Sequence, residues 1–358
     1  MADVPTTIEA IETTWLTEKL RAAGVLGSEV TVIGFTFEPV AEGVAFTSRL
    51  YRIHLQVDGP SDVATLVMKV PMKGAEGFAA PMYRSEVTFY RDFSGWMPIR
   101  APRLYFGDIT KDASEFVLLL EDVVGHEPAD QIEGFSLDQI RSAVSLLADF
   151  HAANWGAHDR LESYRSAFPR MRDSFIVSLL PSLIPLSWKF YLSVARVQPA
   201  DGTLKLIERF TEVLDPVLEE LSRPLTLIHG DTRGDNWFFD DRHEARVLDF
   251  QLVTQAGGMV DVAYLVSQSL TVETRRGADR ELVEHYVSCL DVKGVEGYDF
   301  QSAWRQYRLA TYLMIFMPLV AIGAWSRTNE RGRNLCLELM ERALAAIEDL
   351  DVGALLPT

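Results

Sequence analysis

The spacing of apolar residues changes part-way along the chain, from the alternation typical of β-strands to the three- and four-residue spacing typical of helices. The first part predicts a helix over residues 7–23, capped by Thr6 or Thr7, and a second helix over residues 81–93. Runs rich in β-branched and aromatic residues predict strands around these helices. The predicted strands cover residues 30–40, 49–57, 63–70, 98–108 (with a loop) and 115–121.

Helical spacing dominates the remainder of the chain. Ser136 is predicted to cap a long amphipathic helix that ends at His151, which we interpret as a packing residue. Pro181 and Pro185 predict that the aromatic and apolar segment 168–197 forms broken helices. Further helices are predicted over residues 204–221, 262–270 and, with interruptions, 280–350.

Composition changes this picture mainly through charge. The 358 residues carry a formal net charge of −17. A strongly acidic protein is repelled by phosphate backbones, so we expect no nucleic-acid partner. The apolar and charged fractions are ordinary for a globular protein, and most of the acidic side chains are expected to be solvated.

No targeting or spanning segment is predicted. The N-terminus lacks a basic region followed by an apolar core, so we expect no signal peptide and a cytoplasmic location. Segment 309–325 is uncharged and apolar, but it is short for a membrane span and contains Pro318 and Gly323, so we predict a buried core helix and no membrane span. Cys289 and Cys336 lie in apolar helical patterns and are expected to be reduced thiols.

The stretch 226–251, which reads TLIHGDTRGDNWFFDDRHEARVLDFQ, carries the candidate chemistry. Two short apolar runs each end near an aspartate, Asp231 in the first case and Asp249 in the second, and Asn236 lies between them. Two carboxylates and a carboxamide can converge in one cleft from such strand ends. This set suits a magnesium nucleotide, because it supplies hard oxygen ligands and one carboxylate that can take a proton.

Two upstream residues extend the candidate site. Lys69 lies near the end of an otherwise apolar predicted strand, and Glu86 lies on the apolar face of the predicted helix 81–93. Burying an unpaired carboxylate is costly, so Lys69 is the expected partner of Glu86. From the residues alone, an edge-strand lysine and a surface glutamate stay open as alternatives. The turn over residues 42–48 can hold backbone N–H groups against phosphates or can be an ordinary hairpin.

The order of these features resembles the protein-kinase-like superfamily: a lysine strand, a glutamate helix, His-Gly-Asp with Asn five residues after the Asp, and a strand ending in Asp-Phe. Within that superfamily, the His-Gly-Asp motif resembles that of the branch formed by aminoglycoside phosphotransferases and choline kinases. The Asp-Phe-Gln motif at 249–251 resembles that of the ecdysteroid-kinase-like group. The resemblance implies an α+β, bilobal fold. It implies a nucleotide-binding lobe with a small antiparallel sheet over residues 1–122 and a larger, mainly helical lobe with the catalytic loop and acceptor pocket over residues 123–358.

The same resemblance implies a role for each residue. Asp231 would be the catalytic base that takes the proton of an acceptor hydroxyl, Asn236 and Asp249 would hold Mg²⁺, and ATP would be the co-substrate. The implied nucleotide-binding residues all lie in the N-terminal lobe; they are Lys69, Glu86, Gly43, Ser48 and, through their main chain, Glu121 and Val123.

Residues around the catalytic loop carry further expectations. His229 is expected to brace the loop. Asp261 can cap the helix over 262–270, and the resemblance implies that it is a structural residue that braces the catalytic loop. Arg233 stands where the family more often has an apolar or small residue; it could meet an acidic substrate group or pair with Asp235. Gln251 replaces the glycine or glutamate of other branches.

The favoured function is an ATP-dependent kinase that phosphorylates a small hydroxylated molecule. The alternative is a non-catalytic nucleotide or ligand sensor on the same fold. A protein kinase is disfavoured by His-Gly-Asp and by the missing Ala-Pro-Glu segment. A zinc-protease site is excluded because His243-Glu244 is not followed by a histidine at helical spacing.

Overall fold

The structure is a computed structural model that describes residues 5, 7–40, 47–323, 325 and 329–357. The chain forms two units. The first comprises Met1–Met97, Ala101–Gly125 and Leu248–Leu252, and the second comprises Pro98–Arg100, His126–Val247 and Val253–Thr358. The pentapeptide Leu248–Leu252 therefore belongs to the first unit, although the chain on both sides of it belongs to the second.

The first unit contains a five-stranded antiparallel sheet. Its strands are β1 (Val32–Val40), β2 (Ser48–Val57), β3 (Thr65–Pro71), β4 (Leu104–Ile109) and β5 (Phe116–Glu121). Their order in the sheet is β1-β2-β3-β5-β4. The register places Lys69 of β3 between Leu50 of β2 and Leu118 of β5. Residues 41–46, which include most of the predicted turn, lie outside the described residues.

The two faces of β3 have different surroundings because side chains alternate along a strand. Met68 and Val70 join an apolar cluster with Leu16 and Leu20 of helix α1 (Thr13–Ala22). Lys69 lies on the other face. The predicted helix 7–23 is too long, because a 3-10 turn precedes α1 and the extended backbone at Glu12 separates the two. Thr7 makes no side-chain cap.

Helix α2 (Glu76–Thr88) carries Glu86 and continues into a π-helical turn, Phe89–Phe93. The predicted start at residue 81 is wrong, since Pro81 lies inside α2. Pro81 is exposed, so water can satisfy the carbonyl that loses its hydrogen bond there.

The second unit is mainly helical. Its helices are α3 (Leu137–Ala152), α4 (His158–Ser163), α5 (Phe175–Val194), α6 (Asp201–Glu208), α7 (Phe210–Leu221), α8 (Met259–Ser269), α9 (Val272–Val292), α10 (Phe300–Leu313), α11 (Phe316–Ile322) and α12 (Glu330–Asp349). Its short strands are β6 (Glu127–Pro128), β7 (Thr226–Ile228), β8 (Trp237–Phe239), β9 (Ala245–Val247) and β10 (Thr254–Ala256). They form two small antiparallel sheets, β6-β8-β9 and β10-β7.

Helix α8 lies at the centre of this unit, and every one of its 11 residues is buried. It packs against α3, α9, α10 and α12. A helix surrounded in this way can hold polar side chains in fixed positions, provided that each finds a partner. Ser136 caps α3 with a capping box, as the sequence predicts, so the start of this neighbouring helix is also fixed.

Two predictions about helix continuity are wrong in opposite directions. Segment 168–197 contains one unbroken 20-residue helix, α5, with Pro181 and Pro185 inside it. Both prolines lie on the exposed side, where water can replace the lost backbone hydrogen bonds. Conversely, the predicted helix 204–221 is two helices, because the chain breaks its helical course at Arg209.

The apolar segment 309–325 contains the end of α10 and all of α11. Residues 309–315 are buried, as expected for a core segment, but two helices stand where a single one was predicted. By length and composition, one helix in the described part of the chain, Phe175–Val194, could cross a membrane. Of its most apolar 18-residue stretch, 28% is buried. A single such helix is weak evidence for a span. Cys289 and Cys336 are free thiols, as predicted.

Candidate active site

A buried lysine is held between two carboxylates in the first unit. Lys69 Nζ lies 2.7 Å from Glu86 Oε1 and 3.1 Å from Asp249 Oδ1. Lys69 is 4% exposed and Glu86 is 1% exposed. The Asp249 side chain remains 32% exposed, so one carboxylate of the group keeps access to solvent. The predicted partnership of Lys69 and Glu86 is therefore present, and Asp249 joins it.

The electrostatics of this group keep the lysine charged. Burial opposes the charge of Lys69, but the carboxylates of Asp249 and Glu86 outweigh burial and raise the pKa of Lys69. Burial raises the pKa of Glu86 to about 7, although Lys69 acts in the opposite direction. A cation fixed in this way near an exposed carboxylate suits a ligand that carries both phosphates and a metal ion.

The backbone around Asp249 is unusual. Asp249 has a φ of 67°, in the left-handed region that non-glycine residues seldom adopt. The next residue anchors the segment, because the ring of Phe250 stacks on Phe89 with centroids 3.8 Å apart and an interplanar angle of 7°. Ser85 Oγ also donates a hydrogen bond to the Phe250 carbonyl, at 3.4 Å. These contacts hold Asp249 in its conformation beside Lys69.

Gln251 contacts the beginning of β2. Its Oε1 accepts a hydrogen bond from Thr47 Oγ1 at 2.9 Å, and its Nε2 donates to Ser48 Oγ at 3.3 Å. Ser48, a predicted nucleotide-binding residue, is therefore linked to the segment that carries Asp249. Gly43, the other residue predicted in this turn, lies outside the described residues.

Two acidic side chains at the end of β5, those of Glu121 and Asp122, are held by the protein. Glu121 accepts a hydrogen bond from the backbone N–H of Arg103 at 2.9 Å, and Asp122 accepts two from Arg52 at 2.8 and 3.3 Å. Val123 is half-buried. With both acids engaged, the predicted recognition of adenine at Glu121 and Val123 depends on main-chain groups.

The predicted catalytic loop lies in the second unit and surrounds Asp231 with hydrogen-bond donors. Asp231 is 7% exposed. Its Oδ1 accepts from Tyr264 Oη at 3.2 Å, its Oδ2 accepts from Asn236 Nδ2 at 3.1 Å, and Arg233 Nε lies 3.6 Å from Oδ2. Tyr264 and Asn236 fix the orientation of the carboxylate. Arg233 lies close to this carboxylate and also acts on Asp235. Burial raises the pKa of Asp235, and the positive charge of Arg233 opposes that rise.

Asp261 braces this loop from inside α8. Its carboxylate accepts hydrogen bonds from the backbone N–H groups of His229, at 2.6 Å, and Gly230, at 2.9 Å. The structural bracing role that the resemblance implies for Asp261 is therefore present, whereas the cap is absent, since the residue lies in the third position of α8. His229 Nδ1 accepts from the Asp231 N–H at 3.2 Å, which tightens the same turn.

Sequence reasoning missed two residues of the second unit. His151 was interpreted as packing, but its ring lies 3.1 Å from Asp261 and 2.8 Å from Tyr286 Oη. Tyr264 was not singled out. The available signal was its position three residues after Asp261, which places both side chains on the same side of a helix.

Each unit contains one of the predicted magnesium ligands, and both offer the oxygen atoms that Mg²⁺ prefers. Asn236 donates from its Nδ2 to the Asp231 carbonyl at 2.8 Å as well as to the Asp231 side chain, so its Oδ1 is the atom of this amide that can bind a metal ion. Asp249 offers its partly exposed carboxylate. In the described ranges there is no group of three or more His, Cys, Asp or Glu side chains that could hold a metal ion. Asn236 belongs to the second unit and Asp249 to the first.

A model of the ecdysteroid kinase-like family matches residues 42–293, which is most of the chain. The chain belongs to this family. The resemblance predicted from His-Gly-Asp and Asp-Phe-Gln is therefore confirmed. A kinase-like protein of Caenorhabditis elegans, itself uncharacterized, is 23% identical over 359 residues, covering 88% of this chain and 93% of its own.

Solved structures show the fold of this ecdysteroid kinase-like protein. The GDP complex of aminoglycoside 2'-phosphotransferase-IIIa aligns with a TM-score of 0.54 and 17% identity over 94% of this chain and 99% of that chain. Choline kinase of Cryptosporidium parvum aligns with a TM-score of 0.56 and 12% identity over 96% of each chain. The predicted α+β class, with an antiparallel sheet in the N-terminal part and helices in the C-terminal part, is confirmed.

Proposed function

We propose that this ecdysteroid kinase-like protein transfers the γ-phosphate of ATP to a hydroxyl group of a small molecule. The observation that carries the proposal is the buried Lys69, held as a cation by Glu86 and by the partly exposed Asp249. A buried cation beside an accessible carboxylate has little value for stability alone, because desolvation offsets most of the attraction. The same arrangement is useful for binding a polyphosphate together with its metal ion, because the lysine can contact the phosphates and the carboxylate can contact the metal.

Each residue of the set then has a chemical task. Lys69 contacts the α- and β-phosphates, and Glu86 keeps Lys69 oriented. Asn236 and Asp249 supply oxygen ligands to Mg²⁺, which when bound neutralises charge on the phosphates. The main chain at Glu121 and Val123 binds the base, and Gly43 and Ser48 belong to the phosphate-binding turn.

Asp231 performs the proton transfer. Its carboxylate takes the proton of the acceptor hydroxyl as the hydroxyl oxygen bonds to the γ-phosphorus, and the bond from that phosphorus to the oxygen of the departing ADP breaks. Tyr264 and Asn236 hold the carboxylate in one orientation, which serves a reaction in which positioning supplies most of the rate.

The acceptor class is a small hydroxylated molecule. Solved structures that share the fold include a complex with GDP and kanamycin, a choline kinase and, from Plasmodium vivax, an ethanolamine kinase. Kanamycin, choline and ethanolamine differ in size and charge but all carry a hydroxyl group. The aromatic and apolar residues over 168–191 favour an acceptor with a hydrophobic body for this chain.

The test is a transfer assay with Mg²⁺, ATP or GTP, and a panel of kanamycin, choline, ethanolamine and hydroxylated steroids. Formation of a phosphorylated acceptor supports the proposal. Asp231→Asn should lower turnover by about 1,000-fold or more while nucleotide affinity survives, because proton transfer and correct orientation are both lost. Asp241→Asn, at an exposed position of the same loop region, is the matched control. Full activity of Asp231→Asn contradicts the mechanism, and nucleotide binding without transfer to any acceptor favours the sensor.

A further inference from the structure

The side-chain amide of Gln251 joins two parts of the first unit that are remote in sequence. Gln251 follows Asp249 by two residues in the 3-10 turn Phe250–Leu252. Its Oε1 accepts from Thr47 Oγ1 at 2.9 Å and its Nε2 donates to Ser48 Oγ at 3.3 Å. Thr47 and Ser48 are the residues through which the chain enters β2. One amide therefore uses both its acceptor and its donor at the same short junction.

The Thr47–Ser48 junction is also fixed from two other directions. The Thr47 carbonyl accepts hydrogen bonds from Tyr83 Oη and from the backbone N–H of Met72, the latter at 2.9 Å. Tyr83 precedes Glu86 by three residues on α2, so both lie on the same side of that helix. The junction is thus attached to the helix that carries Glu86 and, through Gln251, to the segment that carries Asp249.

The chemistry of the amide explains why glutamine suits this position. Glycine could reach neither hydroxyl, and an ionised glutamate could only accept, so the Ser48 hydroxyl would have to become the donor. A carboxylate would also add negative charge near Glu86, whose pKa the Gln251 amide helps to lower. Glutamine therefore supplies the link without disturbing the charges around Lys69.

We propose that Gln251 is a positioning residue that fixes Thr47 and Ser48 relative to Asp249, so that phosphate contacts at the start of β2 and metal contacts at Asp249 are made together. The inference rests on the proposed function, since it assigns the nucleotide phosphates and their metal ion to these two segments. Its consequence is specific. Loss of the link weakens binding of Mg·ATP, which must engage both segments, more than binding of metal-free ADP.

The experiment is a double-mutant cycle on the full-length protein with Gln251→Ala, Thr47→Val and the double variant. Dissociation constants are measured by calorimetry for Mg·ATP and for ADP with chelator. Gln251→Ala should weaken Mg·ATP binding about 10-fold, as expected for the loss of two hydrogen bonds, and metal-free ADP binding about 2-fold or less. Thr47→Val should weaken Mg·ATP binding less, and the double variant should resemble Gln251→Ala, because both remove one shared contact.

Controls separate positioning from general stability. Gln56→Ala, at an exposed glutamine on β2, should leave both affinities unchanged. Thermal unfolding identifies any variant that does not fold, and in that case Thr47→Val still removes the same hydrogen bond. In a transfer assay, the variants should raise KM for ATP more than they lower kcat.

Two outcomes overturn the inference, and they differ in what else they affect. Unchanged Mg·ATP affinity in folded Gln251→Ala, or additive effects of the two substitutions, overturns the positioning role and leaves the proposed function intact. Failure of the wild-type protein to bind Mg·ATP overturns the proposed function and the inference together.

Discussion

His151 Nε2 lies 3.1 Å from Oδ2 of Asp261, and both side chains are fully buried. The same carboxylate holds the backbone of His229 and Gly230 at the start of the catalytic loop. The other ring nitrogen of His151, Nδ1, is hydrogen-bonded to Tyr286 Oη at 2.8 Å. A chain of three buried side chains thus supports the loop.

We expect His151→Phe, which keeps a ring but removes both hydrogen bonds, to lower the free energy of unfolding by roughly 2–4 kcal/mol, since two buried partners lose a bond. It should also lower kcat about 10-fold with little change in nucleotide affinity, because it acts through the loop. Urea denaturation and the transfer assay measure these effects. His158→Phe, at an exposed position that opens α4, is the control. Equal behaviour of the two variants would show that the support is unimportant.

Glu86 should make stability depend on pH. Its folded-state pKa of about 7 lies above the ordinary value of 4.5, because burial disfavours the charged form. The folded protein therefore holds this proton more tightly than the unfolded chain does. The associated stability is fully present below pH 4.5 and is lost as the pH rises to about 7, and its size is roughly 3 kcal/mol.

Glu86→Gln should remove that loss, because an amide does not titrate. The free energy of unfolding, measured from pH 4 to pH 8, should fall more steeply for the wild-type protein than for the variant. Glu115→Gln, an exposed substitution at the start of β5, should follow the wild-type curve. Parallel curves for wild type and Glu86→Gln would contradict the assignment. Weakened nucleotide binding by the variant would separately support the role of Glu86 beside Lys69.

Gly258 tests the packing around His151. A Cβ atom at Gly258 would lie 2.2 Å from Tyr286 Oη and 2.6 Å from His151 Nδ1. We expect Gly258→Ala to destabilise the protein by roughly 2–3 kcal/mol, since neither buried ring can withdraw freely. Gly277→Ala in α9 is the matched control, because nothing lies within 4 Å of its added Cβ. It should be neutral or stabilise by about 0.5–1 kcal/mol in thermal unfolding.

Combining Gly258→Ala with Tyr286→Phe provides a stricter test. Removal of the phenol oxygen relieves the closer contact, so the double variant should lose less stability than the sum of the two single losses. Strict additivity would show that the steric clash lies elsewhere.

Arg342 of α12 is expected to be essential for folding. Its buried guanidinium donates to the carbonyl groups of Gln131, at 2.7 Å, Ile132, at 2.7 Å, and Gln268, at 2.8 Å. Gln131 Oε1 in turn accepts from the Asp235 N–H of the catalytic loop, at 3.3 Å. Arg342→Met should lower the free energy of unfolding by about 3–5 kcal/mol, because three buried carbonyls lose a donor.

Arg342→Lys should recover only part of that loss, since a point charge cannot reach three carbonyls in the geometry of a planar guanidinium. Arg331→Met, on the exposed face of the same helix, should change stability by about 0.5 kcal/mol or less. Denaturation curves for the three variants check both statements. Wild-type stability of Arg342→Met would refute the role given to this arginine.

Local chemistry accounts for what could be predicted from the sequence. Ser136 was recognisable as a cap because its motif is contiguous, and the pairing of Lys69 with Glu86 followed from the cost of burying a lone carboxylate. Their proposed contact with nucleotide stays a prediction. The fold class followed from the change in apolar spacing and from the family resemblance.

The remaining features depend on tertiary surroundings. Pro181 and Pro185 continue α5 because both face solvent, which their sequence positions do not reveal. Asp261 contacts the loop at His229 and Gly230, more than 30 residues earlier in the chain; this contact followed from the family resemblance and not from the local sequence, which indicated only a possible cap. Tyr264 reaches Asp231 over a similar separation, and no local pattern indicated that contact. Side chains that satisfy distant partners leave little local signal.

The pentapeptide Leu248–Leu252 limits how such a protein can be cut into fragments and how its segments can be exchanged in evolution. A fragment ending at Gly125 would contain every strand of the five-stranded sheet but would lack Phe250, whose ring covers Phe89, and Asp249, which neutralises Lys69. The first 125 residues are therefore not a transferable module. Recombination that exchanged residues before Gly125 between relatives would also have to preserve compatibility with five residues encoded more than 120 positions later.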